Sequence, residues 1–201
     1  MTATTTEAVQ AHELGHEGHE PSYAEQTKRN RMGLWLFMFS EIFLFGAMLA
    51  ARFYLWGGTR PALDQEVGAL TTAVLLLSSF FMVQAETAIT YGNRRGFMIN
   101  GTLTVLLGFL FLFGVVGVEW QGHLKPSDGV YGGIFYLMTG MHALHVLSGV
   151  ILILLNLNLV RKGHYSVERH WGIEGMAVYW HYVDLVWVFF YPALYLIGRP
   201  V

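Results

Sequence analysis

Five ionisable side chains lie inside long apolar runs of this 201-residue chain: Glu41, the pair His142 and His145 in Met141-His142-Ala143-Leu144-His145-Val146, and the pair His181 and Asp184 in Tyr179-Trp180-His181-Tyr182-Val183-Asp184. Imidazole and carboxylate are acid–base groups that can share or relay a proton, and imidazole can also bind copper or a haem iron. In hydrocarbon each such group must be paired inside the protein or hydrated by a defined water, so its presence there points to function. Each pair is spaced by three residues, which places both members on one helix face. The three histidines are flanked by bulky residues that read as packing, and buried proton-sharing pairs account for them with fewer assumptions than a metal or haem site. Ser40 and Ser148 lack the strand-to-helix context of an activated nucleophile. The absence of cysteine excludes disulfides, iron–sulfur ligation and thiol catalysis.

The elements that must position these residues are apolar segments long enough to cross a bilayer. With 54% hydrophobic and 13% charged residues, the composition predicts an all-α integral membrane bundle of five transmembrane helices, about 32–56, 67–91, 97–119, 130–160 and 173–197. Residues 1–31 read as a polar, His-rich leader, disordered and cytoplasmic, and residues 32–201 as the membrane domain. His12, His16 and His19 in the leader have a spacing that could bind a divalent metal on one helix face, but two glycines and no apolar stripe favour a disordered tail. The first 30 residues lack a signal-peptide apolar region, so the first span is expected to direct insertion. Eight Lys and Arg residues (Lys28, Arg29, Arg31, Arg94, Arg95, Arg161, Lys162, Arg169) fall on the amino-terminal side and four (Arg52, Arg60, Lys125, Arg199) on the other. That asymmetry predicts a cytoplasmic amino terminus and an outside carboxyl terminus in a cell-membrane, multi-pass protein.

At 1.5 Å per residue, Glu41 lies roughly 13 Å into the first span, His142 and His145 roughly 18 and 22 Å into the fourth, and His181 and Asp184 roughly 12 and 16 Å into the fifth. Because the fourth span runs in the opposite direction, all five residues reach similar depths from three helices. The expectation is one buried proton-titratable cluster in which carboxylates and imidazoles satisfy each other. Ser78, Ser79, Thr71 and Thr72 read as small residues for close helix contact, as do Gly101, Gly108 and Gly114. Glu86 is expected to bridge to Arg94 or Arg95, Glu119 to be solvated or capping, and Ser127 or Asp128 to cap the fourth helix. A proton-coupled transporter is the competing class. It is disfavoured because neither an inverted repeat nor matching Gly/Pro-broken helices are visible.

Three motifs in order carry a family resemblance: Ser40-Glu41; Ser127-Asp128-Gly129-Val130-Tyr131-Gly132 with Gly140-Met141-His142-Ala143-Leu144-His145-Val146; and Trp171-Gly172-Ile173-Glu174 running into Tyr179-Trp180-His181-Tyr182-Val183-Asp184-Leu185-Val186-Trp187. From Gly33 to Gly198 the chain resembles subunit III of the haem–copper terminal oxidases, in a form with five rather than seven helices. The resemblance implies a subunit with no cofactor or catalytic redox centre of its own. It implies contact with oxidase subunit I, which holds haem and copper, with subunit II in the same complex, and a place in a larger respiratory assembly. Membrane phospholipid is implied as a ligand, and nucleic acid is not expected as a partner. The implied reaction of the complex is reduction of oxygen to water coupled to proton pumping, with this chain supporting proton uptake and stability. Glu41 matches the family's buried carboxylate and Arg161 a lipid-phosphate arginine, while the two missing helices put lipid sites along their wall in doubt. A quinol oxidase subunit III is the alternative. It is disfavoured by Glu41 after Ser40, where quinol relatives tend to carry aspartate, and by Tyr179-Trp180-His181. An accessory protein of nitric oxide reductase is a third reading.

Overall fold

A computed structural model describes residues 22–201, so His12, His16 and His19 lie outside the described residues. The described chain forms two units, one ending at Leu34 and one spanning Trp35–Val201. In the first, Ser22 and Glu25 form a reciprocal cap: the Ser22 backbone N–H donates to the Glu25 carboxylate at 2.9 Å and the Glu25 N–H donates to the Ser22 hydroxyl at 3.4 Å. This starts helix α1 (Tyr23–Trp56) upstream of the apolar stretch at Met32, so residues 23–31, expected to be leader, are helical.

Four further helices follow: α2 (Gln65–Thr90), α3 (Arg94–Leu112), α4 (Gly129–Arg161) and α5 (Trp171–Tyr191). Asp64 caps α2, accepting from the N–H groups of Glu66 and Val67, and Asn93 caps α3 through Gly96. Asp128 stands at the start of α4 but does not cap it; its carboxylate accepts the Lys125 N–H at 2.7 Å and closes the preceding turn. Helices α1, α2, α3 with its continuation to Gln121, and α4 are long and apolar enough to cross a membrane. Helix α5 is shorter and richer in Tyr, Trp, His and Asp.

Helix α5 sits at the centre of the bundle. It packs along α2 and α4, meets α1 through Phe45 and Tyr182, whose rings are 6.2 Å apart, and meets α3 through Phe111 and Trp187 at 4.9 Å. Trp180 is fully buried because glycines make room for it. A Cβ on Gly108 of α3 would lie 2.9 Å from its ring, and one on Gly149 of α4 would lie 2.8 Å away.

Two helices widen at the end of the bundle that carries the carboxyl terminus. Helix α3 continues as a π-helix over Phe113–Val118 and α5 as a π-helix over Pro192–Leu196, the latter opening at a proline that cannot donate to the regular ladder. These turns bring Glu119 and Tyr195 together, the phenol donating to the carboxylate at 2.5 Å. Glu119 is thus half-buried and partnered rather than simply solvated. Nearby, Arg52 is completely buried, donates to the carbonyls of Ile197 and Gly57, and lies 4.8 and 5.0 Å from the rings of Phe53 and Trp56. Thr59–Arg60 pairs in parallel with Arg199–Pro200. Gly198, at φ 113°, allows this approach, since a Cβ there would meet the Thr59 backbone at 2.9 Å.

The Trp180 seat yields a stability test. Gly149→Leu should destabilise the protein by about 1–3 kcal/mol, because the rigid indole cannot yield. Gly133→Ala, where an added Cβ has nothing within 4 Å, should leave the thermal midpoint in detergent unchanged.

Candidate functional site

Glu41 of α1 and His145 of α4 meet, with His145 Nε2 3.1 Å from Glu41 Oε2 and side-chain exposures of 15% and 14%. His145 Nδ1 lies 2.8 Å from the Met141 carbonyl one turn back. A carbonyl only accepts, so Nδ1 carries a proton. The contact between Nε2 and the carboxyl therefore holds one further proton, on Glu41 as a neutral pair or on His145 as an ion pair. In both states the pair has no net charge, which is the condition for keeping it in an apolar setting. Phe45 lies edge-on to the imidazole at 4.8 Å. Ser148 donates to the His145 carbonyl at 2.8 Å and bonds the Tyr179 hydroxyl of α5 at 2.6 Å. One turn of α4 is thereby tied to α1 and α5.

His142 belongs to a different environment. It is completely buried and donates from Nε2 to the Val183 carbonyl of α5 at 3.0 Å. Its ring is enclosed by Trp187 at 4.7 Å, Phe111 at 5.5 Å and Phe190 at 6.4 Å. Nδ1 has no hydrogen-bond partner, so this imidazole serves as a helix–helix clasp with one nitrogen held in an aromatic box.

His181 and Asp184 meet α2. Ser79 Oγ lies 2.7 Å from His181 Nδ1. Asp184 is 4% exposed, and neither of its carboxyl oxygens reaches hydrogen-bonding geometry with a partner. The expected mutual satisfaction of His181 and Asp184 does not form: His181 bonds Ser79, a residue assigned from sequence to packing alone, and Asp184 stays unpartnered. Immediately around it, Trp180 Nε1 donates to Ser78 Oγ at 3.2 Å and Trp187 Nε1 donates to Thr72 Oγ1 at 2.9 Å.

The five residues expected in one cluster thus divide into the Glu41–His145 pair, the enclosed His142, and His181 on Ser79 with the unpartnered Asp184 one turn along α5. Side chains at equal depth separate because α5 lies between α1 and α2, and its residues 179–184 turn toward different neighbours. Sequence reasoning overlooked Ser79, Ser148 and Tyr179. The signal available for Ser148 was its i, i+3 spacing from His145, and for Ser79 its position near mid-helix, at the level of His181. Among the described residues Glu86 forms no ion pair with Arg94 or Arg95, and His170 and Glu174 pair with each other at 3.1 Å. Arg161 stands exposed in the last turn of α4. Among the described residues no group of three His, Asp or Glu side chains is arranged to hold a metal ion.

The family model described as cytochrome c oxidase subunit III matches residues 11–199. Similar proteins named cytochrome c oxidase subunit 3 include that of Oncorhynchus mykiss, 40% identical over 182 residues covering 84% of this chain and 69% of the relative. Those of Gallus gallus, 35% identical over 196 residues, and Equus caballus, 32% identical over 195 residues, are each matched over 90% of this chain and 74% of their own length.

Ser79 provides the test of the α2–α5 group. Ser79→Ala should cost about 1–3 kcal/mol by leaving His181 Nδ1 without a partner, read as a lower thermal midpoint in detergent. Ser79→Thr, which keeps the hydroxyl, should recover most of the loss.

Proposed function

Because this chain belongs to the cytochrome c oxidase subunit III family, and is thus a subunit of the complex that reduces oxygen, we propose that it supports proton uptake and stability of the catalytic subunit without a redox centre of its own. The observation that carries this reading is the 3.1 Å contact between Glu41 of α1 and His145 of α4, in which the Met141 carbonyl on His145 Nδ1 leaves one further proton to the pair. A pair of this kind changes the position of its proton without changing its net charge. It can therefore follow the protonation of a neighbouring pathway at little solvation cost.

In this reading subunit I is the direct partner and holds haem and copper, subunit II shares the complex, and the assembly can join a larger respiratory one. Oxygen reduction in the complex is coupled to proton pumping. Cytochrome c is the electron donor, in keeping with the names of the relatives. Phospholipid binds the chain, with Arg161 holding a phosphate at the cytoplasmic end of α4. The amino terminus and the leader face the cytoplasm and the carboxyl terminus faces outside, following the distribution of Lys and Arg. His142, His181 and Asp184 are positioning groups of the bundle interior, set beside the proton-holding pair.

The test uses the chain tagged at its carboxyl terminus and purified in mild detergent from its native membrane. A reduced-minus-oxidised spectrum should show a haem a band at a fixed ratio to this chain, and reduced cytochrome c should be oxidised. Glu41→Gln keeps a hydrogen bond to His145 but removes the acidic proton. It should leave the haem ratio unchanged and lower turnover per haem. Loss of haem in Glu41→Gln would overturn the proposed role of the pair, and a colourless chain purified alone would overturn the reading as a whole.

A further inference from the structure

The two sides of α5 differ in what they present to the membrane. Between α3 and α4 lies a cavity of about 640 Å³ lined by apolar side chains such as Phe109, Phe113, Leu144 and Leu147, with Trp120 at one end. Hydrocarbon satisfies every atom of such a wall. On the other side, an apolar groove of about 250 Å³ between α1 and α5 is lined by Ile42, Tyr182, Leu185 and Phe189, and α2 meets α5 through Ser79 and His181. Leu185 is also one turn from His181 and stands 53% exposed, and Phe80, which follows Ser79 on α2, stands 56% exposed. This second face carries polar atoms that lipid cannot satisfy.

His181 is near the middle of α5 and Ser79 near the middle of α2, so their contact lies near mid-membrane. His181 is only half-buried, and while Nδ1 is bonded to Ser79, Nε2 has no partner among the described residues. Behind it, Asp184 is nine-tenths buried with both oxygens unpartnered, and the hydroxyl of Tyr182 at the groove is also buried and unpartnered. An acyl chain offers no donor or acceptor at this depth, and an unmatched polar group in hydrocarbon is costly. A neighbouring membrane helix can supply one.

We propose that the α1–α5–α2 face is the docking surface for a transmembrane helix of a neighbouring oxidase subunit, seated against Leu185 and Phe80, with a hydrogen-bonding side chain reaching His181 Nε2. The half-exposed histidine marks the register of the contact, since only one depth on the partner helix aligns its polar residue with it. The inference rests on the chain's place in an oxidase complex and adds which face of the bundle meets the partner.

The chain has no cysteine, so single cysteines can carry a maleimide-linked photocrosslinker without background. In the intact complex, Leu185→Cys and Phe80→Cys should give adducts with one membrane-embedded subunit. Leu144→Cys and Ile151→Cys, exposed on α4, should give lipid adducts only. Co-purifying partner per chain should fall roughly three- to tenfold in His181→Phe, the range of one interhelical hydrogen bond in a membrane, and should recover in His181→Gln. Thermal unfolding of each variant chain separates lost docking from lost folding. Lipid adducts alone at Leu185 and Phe80, protein adducts from α4 instead, or unchanged retention of the partner in a folded His181→Phe would overturn the docking face. Haem measured in the same preparations distinguishes the two failures: haem present with adducts elsewhere overturns only the face, whereas haem absent from the unsubstituted complex overturns the oxidase reading itself.

Discussion

Hydrocarbon supplies no hydrogen-bond partners, and the bundle depends on how the central helix meets that constraint. Helix α5 carries two buried tryptophans, two buried tyrosines, a half-buried histidine and a buried aspartate through the bundle. Most of these find partners on neighbouring helices: Trp180, His181 and Trp187 on Ser78, Ser79 and Thr72 of α2, and Tyr179 on Ser148 of α4. His142 of α4 reaches the α5 backbone at Val183. These bonds set the rotation of α5 about its axis, because a rotated helix would leave indole and imidazole N–H groups in an apolar core.

Close packing makes those bonds geometrically possible. Trp180 reaches Ser78 because Gly108 and Gly149 let α3 and α4 approach the indole. The polar and steric requirements are therefore coupled. A larger residue at either glycine displaces the ring and with it the N–H that Ser78 receives. At the carboxyl-terminal end of the bundle the same economy appears in the π-helical turns, which add a residue to each turn and so re-aim Glu119 and Tyr195 toward each other.

Against this frame of permanent hydrogen bonds, the Glu41–His145 contact differs in kind. Its proton has two places to reside, whereas the indole and hydroxyl bonds have a fixed donor. It is also partly exposed on the chain by itself, at a junction of α1 and α4 buttressed by Phe45. The rest of the interior is built to hold shape, and this pair is the part whose chemistry can vary with surroundings.

The sequence by itself determined the number and approximate bounds of the helices, the family, and that five ionisable residues lie inside long apolar segments. Apolar length and motif order are one-dimensional properties that need no knowledge of neighbours. Position along each helix was also legible, since the rise per residue is constant. Azimuth was not. Whether His181 faces Glu41 or Ser79 depends on where α5 sits among the other helices, and that placement follows from ring packing around Trp180, Phe45 and Phe111 rather than from any local spacing. For this reason the expected single cluster became three environments, Ser79 changed from a packing residue to a partner of His181, and Glu119 acquired Tyr195 through two π-turns. Even the start of α1 followed a local rule that the apolar pattern concealed, the Ser22–Glu25 cap lying in a polar stretch.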